Sequence, residues 1–188
     1  MRGLFVCVCL AMLLTGCASE YGVSKEAKAI EAPLFPEAKP NLQALDIEQR
    51  LQKQYAEVGV SVIRVGSVVQ VRYPSDRLFE VGKAELIPGA DNYLLALWNS
   101  VKDCPDLRFS IEGLTDNSGN AEKNLMLSLQ RADAVAQYFV VLGMAASMIT
   151  TQGFGGTLPL AYNDTPEHRA LNRLVVVTIR VPKAYKKQ

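Results

Sequence analysis

Residues 107–143 read LRFSIEGLTDNSGNAEKNLMLSLQRADAVAQYFVVLG, and the change of rhythm within them decides the fold. Residues 107–112 alternate apolar and polar side chains, which predicts a half-buried β-strand. Residues 113–120 turn polar and carry glycine, as a loop does. Behind the loop, Ser128 offers a good N-cap, its hydroxyl free to accept from first-turn amides. Leu129, Ala132, Ala136 and Phe139 follow at helical spacing as a buried stripe, and Gly143 stands where a helix closes at C′.

The same reading extends outward. A short helix is expected over residues 41–58, with Ile47, Leu51, Tyr55 and Val58 at helical intervals. Residues 60–65 and 68–73 are two β-rich runs around Gly66-Ser67, a hairpin signal. Pro88-Gly89 precedes a helix in which Tyr93, Leu94, Leu97 and Val101 share a face, stopping near Cys104-Pro105. Residues 148–153 read as a short strand, residues 163–172 as a loop with one helical turn, and residues 174–181 as a strongly apolar last strand. Strands separated by helices of this length imply an α+β two-layer sandwich, with helices packed on one face of a small mixed sheet. That domain is placed at residues 59–183, with a tail at 184–188.

The N-terminal region is of another kind. Arg2 and the apolar run over residues 4–14 read as a secretory signal peptide, because the run is about half the roughly twenty residues of a spanning helix. Leu14-Thr15-Gly16-Cys17 resembles a lipobox, which implies cleavage after residue 16 and acylation of Cys17. Two or more acyl chains make a stable anchor. Residues 18–40, with Pro33, Pro36 and Pro40 and no sustained apolar period, read as a flexible tether reaching about 60–70 Å if extended. With Ala18 after the lipidated residue, the expected location is the outer membrane, facing the periplasm.

Composition narrows the function. Setting Arg2 aside leaves nineteen basic and nineteen acidic side chains, so no basic surplus marks a nucleic-acid binder. Cys104 is the single cysteine beyond Cys17, so the domain is expected to rest on its core and not on a disulfide. The one histidine, His168, reads as a surface residue. No metal-ligand cluster, nucleophile elbow or phosphate loop is present, and Gly153, Gly155 and Gly156 read as a turn where side chains would clash. Neither an enzyme nor a cofactor is expected.

The remaining signal is a charge arrangement. With the helix starting at Ser128, Arg131 falls near N3, where free amides already form a positive end. A cation there points to an incoming anion, and an arginine fork adds two parallel bonds to a carboxylate. Asp116, in the loop beyond the preceding strand, adds an anion for an ammonium. Asp116 and Arg131 therefore read either as two halves of a zwitterion receptor or as a salt bridge that pins the loop.

Gly113-Leu114-Thr115-Asp116-Asn117-Ser118-Gly119, followed by Asn124, Leu127-Ser128 and Arg131-Ala132, resembles the signature of the OmpA-like, or peptidoglycan-associated, C-terminal domain. Gly153-Phe154-Gly155, Pro159, Asn163, Thr165, Arg169-Ala170 and Asn172-Arg173 continue it in order, over about residues 68–181. The resemblance implies that Asp116 and Arg131 hold the free amino-acid end of meso-diaminopimelate in the peptidoglycan stem peptide. It places Thr115 and Asn124 in the same pocket, Glu80 at a usual acidic position and Arg173 as a nearby basic group. Two positions depart from the family: Leu114 stands where histidine is usual, and Leu174 where a second arginine is usual. The stretch from Val71 to Asp76 is also similar to lipoproteins of Dot/Icm type IV secretion systems. That implies a second role, as an outer-membrane component of a secretion machine whose domain binds protein partners.

Overall fold

The computed structural model describes residues 41–182. The signal peptide, Cys17, the tether and the tail expected at residues 184–188 lie outside the described residues.

Among the described residues, four α-helices and five strands follow the chain: α1 Leu42–Tyr55, β1 Ser61–Val65, β2 Val68–Pro74, α2 Ala90–Val101, β3 Arg108–Leu114, α3 Ala121–Val141, β4 Ile149–Gly153, α4 Pro166–Asn172 and β5 Leu174–Arg180. The strands form one sheet in the order β1-β2-β5-β3-β4. All neighbours are antiparallel except β4, which runs parallel to β3, so the sheet is mixed as expected.

Period-two alternation sends Val69, Val71 and Tyr73 of β2, Val175, Val177 and Ile179 of β5, and Phe109 and Ile111 of β3 to one face, all buried. The helices cover that face. Ala44, Ile47, Leu51 and Tyr55 of α1, Leu94 and Leu97 of α2, and Ala132, Val135 and Phe139 of α3 close the core. Each fully buried side chain of this size contributes about 1.5–3 kcal/mol of transfer free energy. Phe109 and Phe139 meet edge to face at 5.2 Å. Tyr55 donates to the Tyr93 carbonyl at 2.7 Å, so its oxygen accepts from the Tyr73 hydroxyl 2.9 Å away. Burial pushes the Tyr55 hydroxyl up to about 12. Helix α1 is tied in from its start: Asn41 caps it by accepting from the Ala44 amide and donates to the carbonyls of Val181 and Pro182 beyond β5.

Helix α3 corrects the sequence reading. It begins at Ala121, two turns before Ser128, and its cap is Asn120, whose side chain accepts from the Lys123 amide at 2.9 Å. Ser128 is therefore mid-helix and fully buried, and Arg131 is not a first-turn residue. The first two turns of α3 carry the exposed Leu125 and Met126, so no apolar stripe announces them. Leu129, expected in the stripe, is 41% exposed, and Val135 takes the buried place. The other end is as expected. Gly143, at φ +105°, donates to Val140, and Met144 donates to Phe139, the two bonds of a Schellman motif.

Two glycines let α3 descend onto the sheet. Gly113 and Gly153 are partners across β3 and β4. A Cβ on Gly113 would lie 1.9 Å from the Ser128 carbonyl oxygen, and one on Gly153 would lie 2.5 Å from the Leu129 amide. The Ser128 hydroxyl fills the seam, donating to the Leu125 carbonyl and accepting from the Gly155 amide at 2.9 Å.

Candidate binding cleft

Close approach at Gly113 and Gly153 sets the middle of α3 beside the ends of β2 and β3 and the beginning of β5. A cleft of about 360 Å³ opens there, walled by the segment after β2, the loop after β3, α3 and Arg173. The sequence-selected residues Glu80, Thr115, Asp116, Asn124, Arg131 and Arg173 all line it.

Arg131 reaches out of α3 toward the loop at residues 79–83. Its Nε donates to the Lys83 carbonyl at 2.8 Å and one Nη to the Glu80 carbonyl at 3.2 Å. The Phe79 ring lies against the guanidinium, 5.2 Å from its carbon. Arg131 is only 5% exposed, yet among the described residues no carboxylate lies within ion-pairing distance of it. Burial lowers its pKa, and the nearby Arg173 lowers it further. Two of five guanidinium N–H groups are bonded to the protein, and three remain.

Asp116 pairs with Arg173 and not with Arg131. Arg173 Nη1 donates to Asp116 Oδ2 at 2.8 Å, and the Ser118 amide donates to Oδ1 at 3.0 Å. Partial desolvation works to raise the Asp116 pKa, but the bonds from Arg173 and Ser118 outweigh it and hold the carboxyl below its ordinary value. The pinning bridge is thus real, with a different arginine.

Thr115 and Asn124 shape the loop. Thr115 Oγ1 donates to the Asp116 carbonyl at 2.9 Å, and Asn124 donates to the Ser118 carbonyl at 2.8 Å. Glu80 turns its carboxylate to Lys83 Nζ, 2.5 Å away, in an exposed pair at the rim. Behind the loop, the fully buried Asn172 accepts from the Leu160 and Ala161 amides and donates to Asn163, whose oxygen also takes the Asn117 amide. Gly156 belongs to the same frame, because a Cβ there would lie 2.8 Å from the Asp116 carbonyl.

Sequence reasoning assigned no binding role to Ser75, Asp76, Val81 or Leu127, which also line the cleft, nor to the Lys83 carbonyl that Arg131 holds. Ser75, Asp76, Val81 and Lys83 lie between β2 and α2, where neither periodicity marks them, and Leu127 lies within α3. The two departures fall elsewhere. Leu114 and Leu174 face each other across β3 and β5 and bury against Val176 and Phe154, outside the cleft lining. His168 is half-buried at the surface and bonds Asp164 Oδ1 at 2.6 Å.

The sequence profile of the OmpA family matches residues 78–173, which contain most of this lining. Over 132 residues the chain is 36% identical to the probable lipoprotein YiaD of Escherichia coli, covering 70% of this chain and 60% of that protein. It is 45% identical over 96 residues to the peptidoglycan-binding protein ArfA of Mycobacterium tuberculosis, covering 51% of this chain and 29% of ArfA. The chain thus spans less than two thirds of either relative. The cell wall anchor of the T6SS from Pseudomonas aeruginosa has a similar fold, with a TM-score of 0.66 at 24% identity over 72% of this chain and 97% of that one.

Proposed function

Because this chain belongs to the OmpA family, we propose that the cleft is a receptor for the zwitterionic amino-acid end of a peptidoglycan stem peptide, that of meso-diaminopimelate. The observation that carries the proposal is Arg131. A nearly buried guanidinium with no anionic partner keeps three donors free and is costly until an anion arrives. A ligand carboxylate meets that need bidentately, at the strong end of hydrogen bonding.

Asp116 supplies the other half. A carboxylate has about four lone-pair sites, and the protein uses two here, so an ammonium can join without first displacing Arg173. Thr115 and Asn124 keep the loop in place, and Glu80 with Lys83 closes the rim. A peptidoglycan-binding protein among the relatives supports the ligand class, and a probable lipoprotein supports acylation of Cys17. The whole chain then tethers the outer membrane, from its periplasmic face, to the wall. No step of this role requires catalysis.

Pull-down with purified sacculi tests the reading. Asp116→Ala and Arg131→Ala are each expected to lose most binding at equal folded concentration. Free meso-diaminopimelate is expected to compete, and a diamine without carboxylates is not. If both variants bind like wild type, the cleft is not the receptor. Cys17→Ser is expected to abolish fatty-acid labelling, and full labelling of that variant would refute the anchor.

A further inference from the structure

We propose that Ser75 is a ligand contact of this cleft, donating its hydroxyl to an anionic group of the bound stem peptide. The proposal rests on the receptor reading above and adds a specificity contact to it.

Ser75 follows β2 directly and opens the short 3-10 turn Ser75–Arg77. Its backbone is fully used: the amide donates to the Arg173 carbonyl at 2.9 Å, and the carbonyl accepts from Leu78 and from Phe79. A serine at such a turn usually serves as a side-chain cap. Here the cap position is Pro74, no side-chain cap bond is made, and the Leu78 and Phe79 amides already bind the Ser75 carbonyl. The hydroxyl therefore plays no part in the turn. It is buried, the residue being 4% exposed, and it has no hydrogen-bond partner in the protein. Among the described residues, no other buried side-chain nitrogen or oxygen is left so.

An unsatisfied buried hydroxyl costs stability that alanine would not, so the fold gains nothing from serine at this position. The cleft does. Ser75 lines it together with Asp116, Arg131 and Arg173. The lining holds two guanidiniums and three carboxylates, but Asp116 is paired with Arg173 and Glu80 with Lys83. The buried Arg131 has no anionic partner among the described residues, so an anion is what this wall can hold at Arg131. A hydroxyl lining the same cleft has a proton to give. Serine has one side-chain torsion with three staggered wells, so the hydroxyl can turn to a ligand oxygen with little reorganisation.

The test is titration calorimetry of the mature chain with a soluble disaccharide-tripeptide ending in meso-diaminopimelate. Ser75→Ala is expected to bind about three- to tenfold more weakly, the worth of one net hydrogen bond. Its thermal midpoint should equal or exceed that of wild type. The penalty should shrink on a ligand whose free diaminopimelate carboxylate is amidated. Wild-type affinity in Ser75→Ala, alongside lost binding in Arg131→Ala, overturns the Ser75 contact and leaves the receptor standing. A lowered midpoint in Ser75→Ala overturns it too, because the hydroxyl would then be serving the fold. An undiminished penalty on the amidated ligand removes the anion assignment. If wild type does not bind, or Arg131→Ala binds equally well, the receptor reading fails and Ser75 with it.

Discussion

Arg173 Nη1 lies 2.8 Å from Asp116 Oδ2, so Asp116 has its cation while the buried Arg131 has no anionic partner among the described residues. The two arginines divide the work. Arg173, 43% exposed at its side chain, orients the carboxylate, and Arg131 is held by loop carbonyls with donors to spare.

That pair makes a pH prediction. The Asp116 pKa is lowered in the folded chain, so its contribution to stability is full above the unfolded carboxylate value of about 4. It is lost as pH falls through the lower folded value. The thermal-midpoint difference between wild type and Asp116→Asn should be constant from about pH 8 to 5 and shrink below about pH 4. It should also shrink with added salt, since Arg173 is partly solvated. A difference that grows on acidification would contradict the bridge.

Ser128→Ala should destabilise the domain by about 1–3 kcal/mol, because it strands the buried Gly155 amide. The reason is not capping, which Asn120 performs. Urea denaturation should show this loss, and Asn120→Ala should show a separate loss of about 0.5–2 kcal/mol. An unchanged midpoint for Ser128→Ala would mean that the α3–sheet seam does not depend on this bond.

Gly113→Ala should cost about 3 kcal/mol or more, the upper end of overpacking, since its Cβ would meet the Ser128 carbonyl at 1.9 Å with backbone on both sides. Gly66→Ala is the control. Nothing lies within 4 Å of that Cβ, and only its φ of +61° is strained, for about 1–2 kcal/mol. Equal midpoints for the two variants would show that α3 can lift from the sheet.

Periodicity carried most of the architecture because burial is largely one-sided. The strands β2 and β3 alternate along most of their length, whereas β5 reads as a continuous apolar run because Leu174 and Val176 are buried on its other face. Gly66, Gly89 and Gly143 sit at element ends with positive φ. The start of α3 was not legible for a physical reason. Its first two turns project over a loop and into solvent, so Leu125 and Met126 break the apolar rhythm, while Ser128, the best local cap by residue type, is spent on the seam. Asp116, Arg131 and Arg173 were legible as a charge group, but their pairing was not. Pairing depends on the loop at residues 79–83, which brings carbonyls and a phenyl ring to Arg131 from some fifty residues away.

Leu114 and Leu174 are the two positions that depart from the family resemblance. Restoring the usual arginine with Leu174→Arg, or the usual histidine with Leu114→His, places a polar group among Val176, Phe154 and the facing leucine. These leucines are 6% and 7% exposed in an apolar cluster, and Glu112 stands on the same face of β3 opposite Val176. An unpaired neutral imidazole there should lower stability by about 1–3 kcal/mol, and a guanidinium that finds no anion by more. Neither position lines the cleft, so sacculus binding per folded molecule should stay within about twofold of wild type. Denaturation and pull-down on the same preparations separate the two effects. If either variant bound sacculi markedly better at equal folded concentration, the receptor would extend past the cleft onto this second face of the sheet. The leucines would then be a weakening of the site, and not the apolar repacking that their burial indicates.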